Sequence, residues 1–183
     1  MSLLTYTELT ELLSDGVIEG AEREQINGAS IDVRLGRYVW IEDCSSRRYG
    51  IVRLAAKDAP AMRRLDLSDG PMLLEPGEFV LAQTVEVFNL PDDVGAEFRL
   101  KSSSARAGLD QALAVWCDPG WHGSVLTMEL RNNLQHHRLE LSAGMKIGQM
   151  VFFRGQPVPR EESYAVRGQY NGDRTAQPSR GLR

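Results

Sequence analysis

Alternation of apolar and polar residues is the main pattern along this chain. From Ile31 onward, short stretches change character at every second residue, which is the period of a half-buried β-strand. These stretches are "SIDVRLG", "RYVWIED", "FVLAQTVEVFNL" and "SVLTMELRN", and the turns read "EPGE", "LPDD", "DPGW" and "SAGM". Short strands joined by Pro, Gly and Asp turns predict a mainly β fold, a distorted barrel or a jelly roll.

Two segments depart from this alternation. Near the N-terminus, Thr5 followed by Glu8 fits a capping box, and apolar residues then recur at helical spacing until Gly16. This pattern predicts a short amphipathic helix. Residues 44–70 are richer in charge and only weakly periodic. We interpret them as an insertion or a long surface loop with a single helical turn, and we assign them no function.

The chain beyond Gly155 is polar and contains almost no aliphatic residues, so it cannot build a core by itself. We therefore predict one domain over residues 1–183, in which about residues 155–183 form a flexible C-terminal tail or flap. The sequence leaves two alternatives open for this tail. It is either disordered, or ordered by a ligand or a neighbouring subunit.

Composition narrows the class of protein. The 183 residues carry a formal net charge of -4, which argues against nucleic acid as a partner, because such binding needs a surplus of Lys and Arg. Cys44 and Cys117 are far apart and form no CxxC pair, so we expect reduced thiols and no zinc site. The sequence contains neither a signal peptide nor a membrane-spanning stretch, and we expect a cytoplasmic protein without a membrane partner.

The stretch "KSSSAR" concentrates chemistry that the rest of the chain lacks. Lys101 and Arg106 flank three serines directly after the strand-like "VGAEF". Two cations, hydroxyl groups and backbone N–H groups would suit a phosphate group. Serines also cap helices and turns, and without further evidence this structural explanation is the commoner one.

Glu129 is the second candidate. In "SVLTMELR" it shares one face of the strand with Thr127, while Met128 shares the other face with the apolar residues Leu126 and Leu130. In a concave site without water, this carboxyl group would have a raised pKa and could act as a general base. On a solvated face it would be an ordinary surface residue, which is the commoner case.

Six segments in order resemble the dCTP deaminase family, within the trimeric dUTPase-like superfamily. Together they cover most of the chain. The segments are "INGASIDVRLG", "LLEPGEFVLAQTVEVFNLPDD", "KSSSARAGL", "DPGWHGSVLTMELRNN", "GMKIGQMVFFR" and "QYNGDRTAQPSR".

The resemblance implies a distorted β-barrel or jelly roll that forms a homotrimer, with active sites at the subunit interfaces and the tail closing over the nucleotide. It implies deamination of dCTP to dUTP and ammonia, with Mg²⁺ accompanying the triphosphate and no zinc. Some members also hydrolyse dUTP to dUMP and pyrophosphate. A bifunctional enzyme or a dUTPase is therefore an alternative, and a catalytically silent trimer that binds nucleotide is another.

The resemblance also implies roles for individual residues. Glu129 would activate the water that attacks C4 of cytosine, Ser102 and the backbone carbonyl of Ala114 would orient this water, and Arg106 would stabilise the base and the developing charge. Asp118 would lie near the deoxyribose. The other residues expected to bind the nucleotide are Lys101, Ser102, Ser103, Arg106, Thr127, Gln149, Tyr164, Gln169, Tyr170 and Asp173.

The chain departs from the family pattern in its tail. Gln169 stands where the family has a lysine, and Asp173 stands where it has a glutamine. By charge alone, these changes weaken contact with a terminal phosphate. The substrate could be a shifted one, such as dCMP or a modified deoxycytidine nucleotide, or Arg167 or Arg174 could compensate.

A second departure is one extra residue between Trp121 and Glu129. A β-bulge would absorb it and keep Glu129 on its face of the strand. Otherwise Met128 would occupy the position of the glutamate.

Overall fold

The computed structural model describes residues 1–44, 50–112 and 114–181. The elements in these residues are β1 (Ser2–Leu3), α1 (Tyr6–Ser14), β2 (Ile18–Glu19), β3 (Ile31–Glu42), β4 (Met62–Asp66), β5 (Met72–Leu74), β6 (Phe79–Asn89), β7 (Val94–Leu100), α2 (Ser102–Arg106), β8 (Leu109–Gln111), β9 (Trp116–Cys117), β10 (His122–Asn132), β11 (Leu139–Leu141), β12 (Lys146–Arg154) and α3 (Tyr164–Arg167). None of these helices is long and apolar enough to cross a membrane.

One large antiparallel sheet dominates the molecule. Its strand order is β8-β10-β6-β3-β12-β7-β9, and β1, β2 and β4 add to β12, β6 and β3. A small sheet pairs β11 with β5. The predicted mainly β fold is confirmed. The stretches "SIDVRLG" and "RYVWIED" form one continuous strand, β3, with a register shift between Leu35 and Val39.

The inner face of this sheet carries the core. Met128 and Leu130 of β10 are fully buried, as the alternation predicts. They share the core with Phe88, Phe98 and Phe152. Burying each phenylalanine stabilises the fold by about 1.5–3 kcal/mol. Because β10 is anchored on its inner face, the orientation of its outer face is fixed as well.

Helix α1 matches its prediction. The backbone N–H of Thr5 donates to the Glu8 carboxylate at 2.9 Å, the capping box is complete, and Leu9 and Leu12 are buried. The chain leaves the helix through Gly16, whose φ of +72° lies in the left-handed region that glycine adopts readily.

The segment 44–70 was only partly predicted. A helical turn occurs at Leu54–Ala56, but Met62–Asp66 is a strand, β4, that pairs with β3. Residues 45–49 of this segment lie outside the described residues. The alternation is weak in β4 because Arg63 and Arg64 are both exposed, and the strand is held by backbone pairing more than by apolar burial.

The C-terminal tail packs on its own chain, an arrangement that neither sequence-based alternative included. Trp121 Nε1 donates to the carbonyl of Tyr170 at 2.8 Å, and Val125 N–H donates to the carbonyl of Asp173 at 2.9 Å. Ala176 is fully buried. Hydrogen bonds to the strands therefore replace the apolar contacts that the tail sequence cannot supply.

Candidate active site

A cavity of about 460 Å³ lies between β10, β9, β6 and the C-terminal tail, and we call it the main cavity. Its volume is within the range of small-molecule sites. Many of the residues that line it are apolar, including Phe79, Leu81 and Trp121. The predicted site residues that line it are Ala114, Asp118, Thr127, Glu129, Tyr164, Tyr170 and Asp173.

Glu129 lies beyond two irregularities in the pairing of β10 with β6. A second register shift, between Val125 and Thr127, places extra residues on β6, and it follows a first one in which His122 pairs with Asn89 and Ser124 with Phe88, so that Gly123 is an extra residue on β10. Its φ of +66° suits glycine. Beyond this point Glu129 lines the main cavity while Met128 is buried in the core. The bulge expected from the sequence is present, and Met128 does not take the place of the glutamate.

Burial raises the pKa of the Glu129 carboxyl group. Two hydrogen bonds act in the opposite direction, one from its own backbone N–H and one from Gln111 Nε2, which lies 2.8 Å from Oε2. A carboxylate that is partly removed from water binds protons more readily than an exposed one. Glu129 therefore has the electrostatic setting of a general base.

Two further candidates, Asp118 and Tyr164, also line the main cavity. Trp116 Nε1 donates to Asp118 Oδ1 at 2.8 Å, and the Asp118 side chain remains exposed. Burial raises the pKa of the Tyr164 hydroxyl, which accepts a hydrogen bond from the backbone N–H of Tyr170 at 3.3 Å. Tyr164 therefore stays protonated and can donate a hydrogen bond to a ligand.

Arg180 joins the two tail residues that depart from the family pattern. Its guanidinium group donates to Asp173 Oδ1 at 2.7 Å and to the carbonyl of Gln169, and it lies over the Tyr170 ring. The other oxygen of Asp173 is buried and has no partner among the described residues. Asp173 thus serves as the counter-ion of Arg180. Sequence reasoning missed Arg180, because no local pattern marks it.

The two arginines considered as compensation already have carboxylate partners. Arg167 pairs with Glu162, and Arg174 Nη1 lies 2.9 Å from Glu19 Oε2. A paired guanidinium group attracts a phosphate less than an unpaired one. The structure therefore offers little support for compensation by either arginine.

The remaining predicted residues lie outside the main cavity. Lys101 precedes α2, which contains Ser102, Ser103 and Arg106, and we call these four residues the serine-cation cluster. The last three side chains are exposed. No side-chain capping bond occurs at the start of α2, so the serines lie within the helix and do not cap it.

A buried carboxylate, Asp32, anchors the serine-cation cluster. Lys101 Nζ lies 2.7 Å from Asp32 Oδ1, and Lys146 Nζ lies 3.2 Å from Oδ2. Burial acts to raise the pKa of Asp32, but hydrogen bonds from Lys101, Asn27 and Lys146 lower it by more. Gln149 lies nearby on β12, opposite Asp32, and accepts a hydrogen bond from the Ser30 hydroxyl at 3.1 Å. Within one chain, the predicted site is thus divided between the main cavity and this cluster.

Comparisons with known proteins agree with this fold. A family model described as dCTP deaminase-like matches residues 3–155. A protein of Acidothermus cellulolyticus named "dCTP deaminase, dUMP-forming" is 39% identical over 97% of this chain and 94% of its own length. A protein of Thermobifida fusca with the same name is 35% identical over 97% of this chain and 92% of its own length.

Two solved structures support the fold alone. The 2'-deoxycytidine 5'-triphosphate deaminase of Agrobacterium tumefaciens has a TM-score of 0.62 at 19% identity, over 84% of this chain and 48% of that one. A mutant dUTPase from phage phi11 of S. aureus has a TM-score of 0.50 at 14% identity, over 77% of this chain and 86% of that one. The family model and the curated relatives establish that the chain belongs to the dCTP deaminase-like family.

Proposed function

We propose that this protein deaminates dCTP and then hydrolyses the product, so that one dCTP and two water molecules give dUMP, ammonia and pyrophosphate. The observation that carries the deamination is the position of Glu129, partly buried at the wall of the main cavity. The family resemblance of the sequence implied dUTP as the final product, with dUMP as an alternative. Relatives named as dUMP-forming support its bifunctional alternative instead.

In the deamination step, Glu129 accepts a proton from water as the water oxygen attacks C4 of cytosine. The electrons of the C4=N3 double bond move to N3, which takes this proton from Glu129. Glu129 then accepts the remaining proton of the new C4 hydroxyl group and passes it to the exocyclic amine, which leaves as ammonia as the C4–N bond breaks and C4=O forms. The raised pKa of Glu129 favours both transfers, because the carboxyl group can hold the proton between them. The carbonyl of Ala114 and the hydroxyl of Ser102 would orient the water.

We further propose that the site is completed by a neighbouring copy in a homotrimer. The main cavity is lined by three carboxylates, Asp118, Glu129 and Asp173, and by no Lys or Arg among the described residues. A triphosphate would be repelled by such a lining. In the serine-cation cluster of another subunit, the exposed Arg106 would supply positive charge, and Lys101 would share its charge between Asp32 and the phosphates.

Mg²⁺ is proposed to arrive bound to the phosphate oxygens of the nucleotide. Among the described residues, no group of three or more His, Cys, Asp or Glu side chains could hold a metal ion. The carboxylate nearest the serine-cation cluster, Asp32, is already paired with two lysines. The residues present therefore fit an ion that is carried by the substrate, where it would shield the charge of the phosphates.

A product assay tests the proposed function. The purified protein is incubated with dCTP, dCMP or dUTP in the presence of Mg²⁺, and nucleotides, ammonia and pyrophosphate are quantified. We expect dCTP to give equal amounts of dUMP, ammonia and pyrophosphate, and dCMP to remain unchanged. Accumulation of dUTP without pyrophosphate would show that the protein deaminates dCTP but does not hydrolyse dUTP. A rise in melting temperature with dCTP but no product would indicate the silent nucleotide-binding trimer.

The tail offers a prediction about substrate charge. Replacing Gln169 by Lys restores the cation of the family pattern and should lower KM for dCTP by roughly two- to fivefold, the range given by an exposed ion pair. KM for dCTP and kcat are measured at several salt concentrations, and Gln169→Met is the uncharged control. An equal effect of both substitutions would show that the tail does not contact phosphate through this position.

A further inference from the structure

We propose that Gln111 is a positioning residue for Glu129. Its side-chain amide holds the carboxylate in one orientation at the wall of the main cavity and sets the pH range in which Glu129 acts as a base. This inference rests on the role proposed for Glu129. It concerns a residue that the sequence pattern did not mark.

The backbone brings the two side chains together. Strand β8 pairs with β10, with Gln111 opposite Leu130, and the Ala112 N–H donates to the Glu129 carbonyl at 2.9 Å. From this ladder, Gln111 Nε2 donates to Glu129 Oε2 at 2.8 Å and to the Ala112 carbonyl at 2.9 Å. Both hydrogens of the amide nitrogen are thus engaged. The carboxylate is held by a donor that is itself fixed in place.

In the observed orientation of the amide, Gln111 can donate to the ionised Glu129. Gln111 Oε1 is buried and has no hydrogen-bond partner among the described residues. A buried acceptor without a partner is unfavourable. The orientation of the amide group is therefore explained by the two hydrogen bonds of its nitrogen and not by its oxygen. In the reverse orientation, the amide oxygen would face a carboxylate that can only accept. The observed arrangement therefore matches the ionised glutamate.

Electrostatics agree with this geometry. Burial raises the pKa of Glu129, and the Gln111 N–H is the side-chain donor that lowers it. Asp173, another carboxylate of the cavity, is paired with Arg180. The titratable groups that line the cavity with Glu129 are Cys117, Asp118, Tyr164, Tyr170 and Asp173.

A titration tests the inference without relying on turnover. Glutamate carboxyl carbons are labelled with ¹³C, the Glu129 signal is identified by its loss in Glu129→Gln, and its pKa is measured by NMR without nucleotide. Gln111→Met keeps the side-chain length but removes the donor, and should raise the pKa by about one unit. Gln111→Glu places a like charge there and should raise it further.

Asp110→Asn is the matched control on the same strand. The Asp110 side chain is exposed and accepts from the Gln111 backbone N–H at 2.9 Å and from Asn133 Nδ2 at 2.8 Å. Asparagine keeps an acceptor oxygen for the Gln111 backbone and leaves the Gln111 amide in place, so this substitution should leave the Glu129 titration unchanged. Melting curves establish that each variant folds. An unchanged Glu129 pKa in folded Gln111→Met and Gln111→Glu would overturn the inference, whatever the activity of the wild-type protein.

The kinetic counterpart is the pH profile of kcat/KM for dCTP deamination. Loss of the donor should move the acidic limb to higher pH by the same amount, with the rate recovered above it. A uniform loss of rate at all pH values would indicate a merely structural role and would overturn the inference. A shifted Glu129 pKa without deamination by the wild-type protein would instead refute the proposed function alone.

Discussion

Replacement of Glu129 by Gln is expected to lower kcat for dCTP deamination by roughly 100- to 10,000-fold, the usual contribution of a general base. The amide keeps the size of the side chain but cannot accept a proton from water at neutral pH. Binding of dCTP should persist, since the cavity walls are unchanged. Ammonia release gives kcat, and calorimetry gives the Kd for dCTP.

A second glutamate-to-glutamine substitution, away from the main cavity, tests whether the loss of kcat is specific to Glu129. Glu140 is an exposed glutamate on β11, away from the main cavity, and Glu140→Gln should keep wild-type kcat. Deamination by Glu129→Gln at a rate near that of Glu140→Gln would show that another group activates the water.

The second large effect concerns a site built from two subunits. Glu129→Gln and Arg106→Ala should each be inactive alone, because one lacks the base and the other lacks a cation of the serine-cation cluster. Refolded together in equal amounts, they should recover about a quarter of wild-type activity. In random assembly, about a quarter of the interfaces combine a chain that has Glu129 with a neighbour that has Arg106. Ammonia release from the mixture provides the measurement, with mass spectrometry for the assembly.

The control mixture combines Glu129→Gln with Asp118→Asn. Both residues line the main cavity of the same chain, so every cavity in this mixture carries one defect. No recovery is expected. If the Arg106→Ala mixture also failed to recover activity despite forming mixed trimers, the serine-cation cluster would not complete the cavity of a neighbour.

The strands that pack on the core were predictable because burial of one strand face requires an apolar residue at every second position. Met128 and Leu130 alternate with Thr127 and Glu129 along β10, and the structure keeps that division. Strand β4 escaped prediction because both faces of its middle residues carry charge. The conformation of β4 depends on its backbone pairing with β3. Such pairing does not require a particular order of apolar and polar residues, so the sequence pattern does not reveal it.

The site was predictable only where motif residues carry the chemistry themselves. Glu129 and Asp118 were found in this way, and both line the cavity. Gln111 and Arg180 were not, because their importance comes from a partner. Gln111 contacts a residue eighteen positions away, and Arg180 acts on Asp173 and Gln169 after the tail folds back.

The way the tail is attached has a consequence for the rate of turnover. Its contacts with β10 include hydrogen bonds between backbone groups and hydrogen bonds to the Ser124 and Thr127 hydroxyls, and Ala176 is the fully buried apolar residue of the described tail. Detaching it exchanges protein hydrogen bonds for those of water and exposes little apolar surface. Under the proposed function, nucleotide would enter and product would leave by local opening of the tail, while the sheet stays intact.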